Sequence, residues 1–273
     1  EALAGLTRVA RTLDEILNRV PQPQAPYVGG SAFAHKAGLH ASAILKDPVT
    51  YEHVDPATVG NARIIPMSNQ AGLSNLRKRL ADAGIEVAAN DPRLGEILAE
   101  VKLREDVGYA YDGAQASFEL LARGQLGLAP RFFEVERYRV TIERRRNARG
   151  QMVTVSEAVV AVRIGAERIM NVADSYYGGS DRDNGPVHAL SAALRHDLGR
   201  YADHIADLRL VDFKVRITGS GTGAVTRVQI DSEDGQGRRW STVGVSPNLV
   251  DASFEALVDA INWKLIRDGV EAA

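Results

Sequence analysis

Two histidines stand five residues apart in His35-Lys-Ala-Gly-Leu-His40, with the hydroxyl of Ser42 just beyond. Imidazole is the side chain that takes and returns a proton near neutral pH, and paired imidazoles can hold a metal. Two ligands on one helix face want a spacing of four; five turns the second ring well away from the first. A metal pair is therefore disfavoured. His40, near glycines and a hydroxyl, can act as a general acid–base group or simply pack, and the residues alone lean to packing.

Two other stretches could bind rather than react. Asn184-Gly185-Pro186-Val187 and Ser246-Pro247-Asn248 both place proline at or near the first position of a helix. The unpaired amides of a helix start suit a small carboxylate, although plain helix starts read equally well from these residues. Gly219-Ser-Gly-Thr-Gly223 is glycine-rich, but no Gly-Lys-Ser/Thr follows and no helix opens there. It reads as a flexible hairpin rather than a phosphate cradle. Arg144-Arg-Arg146, followed by Asn147-Ala-Arg-Gly150, reads as the solvated tip of a hairpin. Tyr176-Tyr-Gly-Gly-Ser-Asp-Arg-Asp183 is a polar loop that offers contact but no chemistry.

The elements that must position these groups follow from periodicity. Leu3, Leu6, Val9, Ala10, Leu13, Ile16 and Leu17 recur at three and four, predicting a helix that Pro21, Pro23 and Pro26 terminate. From Gly29 to Gly60 the chain reads as irregular. Short helices are then predicted from Leu73 to a Gly84 cap, from Pro92 to Gly108, and from Asp112 to Gly124, the last carrying Phe118 and Leu121 inward. After Pro130 the period changes to two. Tyr138, Val140 and Ile142 alternate with charged neighbours, as do Val211, Phe213, Val215 and Ile217 further on. Val187, Leu190, Leu194 and Leu198 predict one amphipathic helix; Phe254, Leu257, Val258, Ile261 and Leu265 predict another. The pattern is a strand-strand-strand-helix unit written twice, over about 131–204 and 205–270, with a shared core. The expected fold class is α+β, with a mostly helical portion over 1–127 and the doubled unit over 128–273.

Composition removes several classes of function. The 33 Lys and Arg nearly balance 35 Asp and Glu, so nothing favours nucleic acid, a membrane surface or another polyanion as partner. Cysteine is absent, which excludes disulfides, thiolate metal sites and a cysteine nucleophile. No apolar run is long enough to span a bilayer and no leader pattern opens the chain, so a cytoplasmic location is expected. Glu1 runs straight into a helical pattern, as a piece of a longer protein would.

Ser31-Ala-Phe-Ala-His-Lys-Ala-Gly-Leu-His-Ala-Ser42, with Leu45-Lys-Asp-Pro48, Tyr51-Glu-His-Val-Asp-Pro56 and Val59-Gly60, resembles the citramalate and 2-isopropylmalate synthase family. Ser74-Asn-Leu76 and Gly113-Ala-Gln-Ala-Ser-Phe-Glu-Leu-Leu121 resemble its helical linker. Asn184-Gly-Pro-Val187, Leu208-Arg-Leu-Val-Asp-Phe-Lys-Val215, Trp240-Ser-Thr-Val-Gly-Val-Ser246 and Asn262-Trp-Lys-Leu265 resemble its regulatory domain, the wording being closest to the (R)-citramalate synthase branch. The resemblance implies an acyltransferase that joins acetyl-CoA to a 2-oxoacid, pyruvate in the citramalate case, in isoleucine and leucine biosynthesis. The catalytic TIM barrel and its divalent metal, magnesium or manganese, would lie outside this chain, which is then expected to be inactive alone and to need no cofactor of its own.

On the same resemblance His40 and Tyr51 correspond to the family's linker histidine and tyrosine, one helping to deprotonate the acetyl methyl and the other orienting the reactants. The remaining region would form a homodimer and bind isoleucine or leucine. The effector would sit at Asn184, Gly185, Pro186, Val187, Ser246, Pro247 and Asn248, with Val187, Leu190, Val225 and Leu249 as an apolar pocket. The loop from Ser175 to Asp183 is longer than the family's usual link before Asn-Gly-Pro. The alternatives are the same portion of a 2-isopropylmalate synthase, with leucine as effector, or an amino-acid-binding dimerisation module without catalysis.

Overall fold

The apolar spacing at the start of the chain does form a helix, α1 (Leu6–Ile16), but its stripe is not covered. Val9, Leu13 and Ile16 are exposed, whereas Thr7 is buried and its hydroxyl donates to the carbonyl of Val59 at 2.7 Å. The computed structural model describes residues 3–17, 21–35, 38–64, 72–177, 185–218 and 224–273. Contacts divide the chain into Glu1–Glu105 and Asp106–Ala273. The expected boundary at 127/128 lies well inside the second unit.

The stretch read as irregular contains a nine-residue helix, α2 (Gly38–Lys46), which carries His40. Its end is fixed by the following turns rather than by a long apolar face. Asp47 caps a 3₁₀ turn at Pro48–Thr50 by accepting from the Val49 amide at 3.2 Å, and Asp55 does the same for Pro56–Val59 through Ala57 at 3.0 Å. Two further helices, α3 (Leu73–Asp82) and α4 (Arg93–Asp106), match their predicted spans. Gly84 and Gly108 take the left-handed backbone expected just past each end. Asp91 accepts from the Arg93 amide at 2.9 Å and so caps α4.

The second unit opens with α5 (Gln115–Gln125) and contains two antiparallel meanders. The first is β1 (Glu134–Arg146), β2 (Met152–Ile164) and β3 (Glu167–Tyr177), followed by α6 (Pro186–His196) and the short α7 (Ala202–Ile205). The second is β4 (Arg209–Thr218), β5 (Val225–Glu233) and β6 (Arg239–Ser246), followed by α8 (Leu249–Arg267). The doubled strand-strand-strand-helix pattern is present, and no barrel occurs among the described residues. Each repeat carries a bulge near the start of its first strand, between Val135 and Arg137 and between Leu210 and Asp212. The second bulge corrects the expected alternation. Val211 is the extra residue and is exposed, and Leu210 rather than Val211 shares a face with Phe213.

Both repeats do share one core. Val160, Val162, Leu190 and Leu194 belong to the same buried cluster as Val228, Ile230, Trp240 and Leu257. Tyr138 of β1 stacks on Phe254 of α8, with ring centroids 4.1 Å apart. Trp240 stacks on Trp263 at 5.0 Å. At Gly244 the strand touches α8 so closely that an added Cβ would lie 2.0 Å from the Ala252 carbonyl oxygen. Only glycine fits there.

α5 belongs to this unit rather than to a linker. Ser117 accepts from the Val243 amide at 3.0 Å and donates to Asp259 at 2.6 Å, so the helix satisfies the open edge of β6 and grips α8 together.

Candidate functional site

In the first unit the structure brings His40 and Tyr51 together. Their rings lie 4.2 Å apart between centroids, tilted by 32°, and both side chains are exposed. α2 supplies the histidine. The capped turn at Pro48–Thr50 supplies the tyrosine, whose amide donates to the Pro48 carbonyl at 3.2 Å. The imidazole thus lies largely face-on against the phenol and remains within reach of a bound molecule. His35, by contrast, does not pair with His40. Its Nε2 lies 3.0 Å from Glu52.

Glu52 is the residue that sequence reasoning missed. It follows Tyr51 directly, and its side chain is 3% exposed. Arg63 binds it through Nε at 2.7 Å and Nη2 at 2.5 Å, a two-pronged charge-assisted contact. The Arg63 guanidinium holds the Glu52 carboxyl below its ordinary range against the opposing effect of burial, and His35 adds to the lowering. Its presence in the motif Tyr51-Glu-His was visible; its inward orientation was not.

A pH dependence follows from that lowering. A carboxyl with a depressed folded-state pKa contributes stability that is full above the unfolded value and lost as pH falls through the folded one. Hydrogen exchange over residues 38–64 should therefore quicken as pH drops below about 4, after correction for intrinsic rates. Glu52→Gln should flatten that dependence. An unchanged profile in the variant would show that Glu52 does not anchor the Tyr51 turn.

In the second unit the two expected helix starts are not equivalent. Gly185 caps α6 without a side chain, and its carbonyl accepts from Ser175 at 2.9 Å. Pro186 and Val187 follow in the first turn, while Asn184 lies outside the described residues, as does the glycine-rich stretch 219–223. The α8 start is already occupied by its own side chains. Asn248 accepts from the Val250 amide at 2.9 Å, and Ser246 accepts from the Asn248 amide at 3.0 Å. Asp251 adds a negative charge in the first turn and accepts from the Tyr138 hydroxyl. Burial, then this bond, pushes the Tyr138 pKa up. Such a start favours the helix but opposes a ligand carboxylate. Of the expected apolar pocket, Leu190 is fully buried in the core and cannot line an open site; Val187 is half-buried and Leu249 exposed.

Among the described residues no cluster of three or more His, Asp or Glu side chains could hold a metal ion. No described helix is long and apolar enough to cross a membrane.

Comparison with known proteins agrees with this division of the chain. Residues 27–108 match the homocitrate synthase post-HMGL domain-like family. The (R)-citramalate synthase of Synechocystis sp. is 43% identical over 97% of this chain and 47% of its own length. That of Aquifex aeolicus is 42% identical over 99% and 49%, and that of Streptomyces coelicolor 41% over 99% and 49%. The chain thus spans about half the length of the curated relatives it matches. Residues 112–265, more than half of the chain and nearly all of its second unit, match the LeuA allosteric (dimerisation) domain, and the chain belongs to that family.

Proposed function

We propose that this chain is the linker and regulatory portion of an acyltransferase that condenses acetyl-CoA with a 2-oxoacid, pyruvate giving (R)-citramalate, in branched-chain amino-acid biosynthesis. The observation that carries the reading is the exposed contact between His40 and Tyr51 on a unit of the post-HMGL type. His40 takes a proton from the acetyl methyl, directly or through water, and the Tyr51 hydroxyl orients the reacting groups. A divalent magnesium or manganese ion belongs to the barrel outside this chain, where it supplies polarisation of the keto oxygen when bound.

The second unit pairs two copies of the chain and binds isoleucine first and leucine second. The dimerisation in its family's description and the two-layer repeat support this part. The ligand carboxylate goes to the α6 start, where Gly185 contributes no capping side chain, rather than to the self-capped α8 start. Binding inhibits if the liganded arrangement displaces the unit carrying His40 and Tyr51.

Calorimetric titration with isoleucine, leucine and valine tests the regulatory half. Isoleucine and leucine should both bind, with affinities that differ by about tenfold or somewhat more, the worth of one methylene placement. The absence of heat and of any melting shift at millimolar concentration with all three would leave a unit that only dimerises.

A further inference from the structure

An open groove of about 800 Å³ runs between one side of α6 and β4. Val187, Leu208, Leu210 and Phe213 give it an apolar wall, and His188, Ser191 and His196 line its α6 side. Arg195, in the last turn of α6, reaches it as well, and also lines a small apolar void against Leu194, Leu257 and Ile261. The Arg195 Nε is buried and has no hydrogen-bond partner among the described residues. A guanidinium in that position is poorly solvated, and burial pushes its pKa down, with Asp207 opposing. Asp207 is itself engaged by the Gly235 amide at 2.9 Å and by Lys264 at 3.0 Å. The second arginine at the groove, Arg209, is bound to Glu233 at 2.5 Å. Arg195 is thus a cation with an unmet donor beside an apolar trough.

The occupant must complement both features. A guanidinium at the groove with no carboxylate hydrogen-bonded to it among the described residues favours one, taken up through the terminal nitrogens because Nε itself is buried. The apolar walls favour a short branched alkyl chain. No Asp or Glu lines the groove, so no side chain there can neutralise an ammonium group. We infer that the Arg195 end of this groove binds a small apolar carboxylate that lacks an ammonium group, a branched 2-oxoacid or alkanoate. The carboxylate meets Arg195 and the tail lies on Leu208, Leu210 and Phe213. This end of the groove is distinct from the α6 start at its other end: eight helical steps, roughly 12 Å, separate Val187 from Arg195.

The test is calorimetry on the whole chain with 4-methyl-2-oxopentanoate, 4-methylpentanoate and the neutral 4-methylpentanamide. Both anions should bind and the amide should not. Arg195→Met should lose anion affinity by about tenfold or more, the scale of a lost charge-assisted contact. It should melt no lower than the native chain, since it replaces a partly buried charge whose Nε has no hydrogen-bond partner by an apolar side chain. Arg195→Lys should keep part of the affinity. Any heat from isoleucine should survive in Arg195→Met, which separates this site from the amino-acid site proposed at the α6 start. Equal binding of amide and anions, no binding of either anion, or unchanged anion binding in Arg195→Met would each overturn the inference. So would a fall in sedimenting mass in Arg195→Met with no anion response in the native chain. The guanidinium would then belong to a contact between copies.

Discussion

His40→Ala, made in a full-length protein that carries this chain together with its barrel, lowers kcat by about a hundredfold or more, the usual contribution of a positioned acid–base group. The expectation rests on the placement of the ring. His40 is exposed on α2, yet its imidazole is held against Tyr51 at 4.2 Å, so it is reachable and oriented together. Tyr51 is fixed by the Asp47-capped turn on one side and by the Glu52 anchor on the other. Tyr51→Phe keeps the ring contact and removes only the hydroxyl. If the hydroxyl orients the reactants, kcat falls while the melting temperature stays; if the ring merely packs, neither changes. A pH–rate profile adds a readout that packing would not move. Loss of His40 should remove the limb belonging to the free base. The isolated chain, incubated with acetyl-CoA, pyruvate and magnesium or manganese, should release no free thiol above background. Full kcat in both variants would make His40 and Tyr51 structural.

The doubled sheet unit was legible because antiparallel strands with one covered face print their burial at a period of two. Tyr138, Val140 and Ile142 do point to one side of β1, as read. The register of β4 was not legible. A bulge costs one residue and leaves the alternation looking regular, so Val211 took the place of Leu210. α2 escaped because a nine-residue helix of glycine, alanine and a few apolar residues has no clear stripe, and its boundary is set by Asp-Pro turns beyond it. Tyr51 entered through resemblance; its partner Glu52 did not, because a carboxylate in a loop reads as solvated until Arg63 is seen to reach it. The apolar stripe of α1 was read correctly as periodic, but period alone does not say whether anything covers it. Arg195 is a related case. A charge on the flank of an otherwise apolar helix face looks like a fully solvated edge, and only the structure shows that its Nε is buried without a partner.

The placement of α5 leads to the other large effect. Its apolar pattern predicts a helix but not its partner, and the resemblance of Gly113–Leu121 to the family's helical linker places it before the expected boundary at 127/128. The structure instead fastens α5 to α8 through a buried carboxylate. Glu119 accepts from the Trp263 indole at 2.8 Å, from Arg267 at 2.6 Å and from Arg123 at 2.9 Å. Tyr109, just upstream, donates to Glu255 at 2.6 Å, and Glu255 in turn accepts from the Val245 amide at 3.0 Å. Glu119→Ala should cost about 3 kcal/mol, the low end of the range for breaking a buried pair. The low end applies because Arg123 and Arg267 keep part of their side chains in water, 18% and 32% exposed, and can be re-solvated. The Trp263 N–H cannot, and is left buried without a partner. For a unit of this size that corresponds to a fall in melting temperature of about 6–12 °C. Glu119→Gln keeps an oxygen for the indole and should lose about half as much. Truncation separates the two readings of the boundary directly. A chain beginning at residue 106 should melt as the second unit does in the whole chain. A chain beginning at 128 loses the helix that covers the β6 edge and one flank of α8, and should melt far lower or aggregate through that edge. If the shorter chain melts like the longer one, α5 is a linker after all.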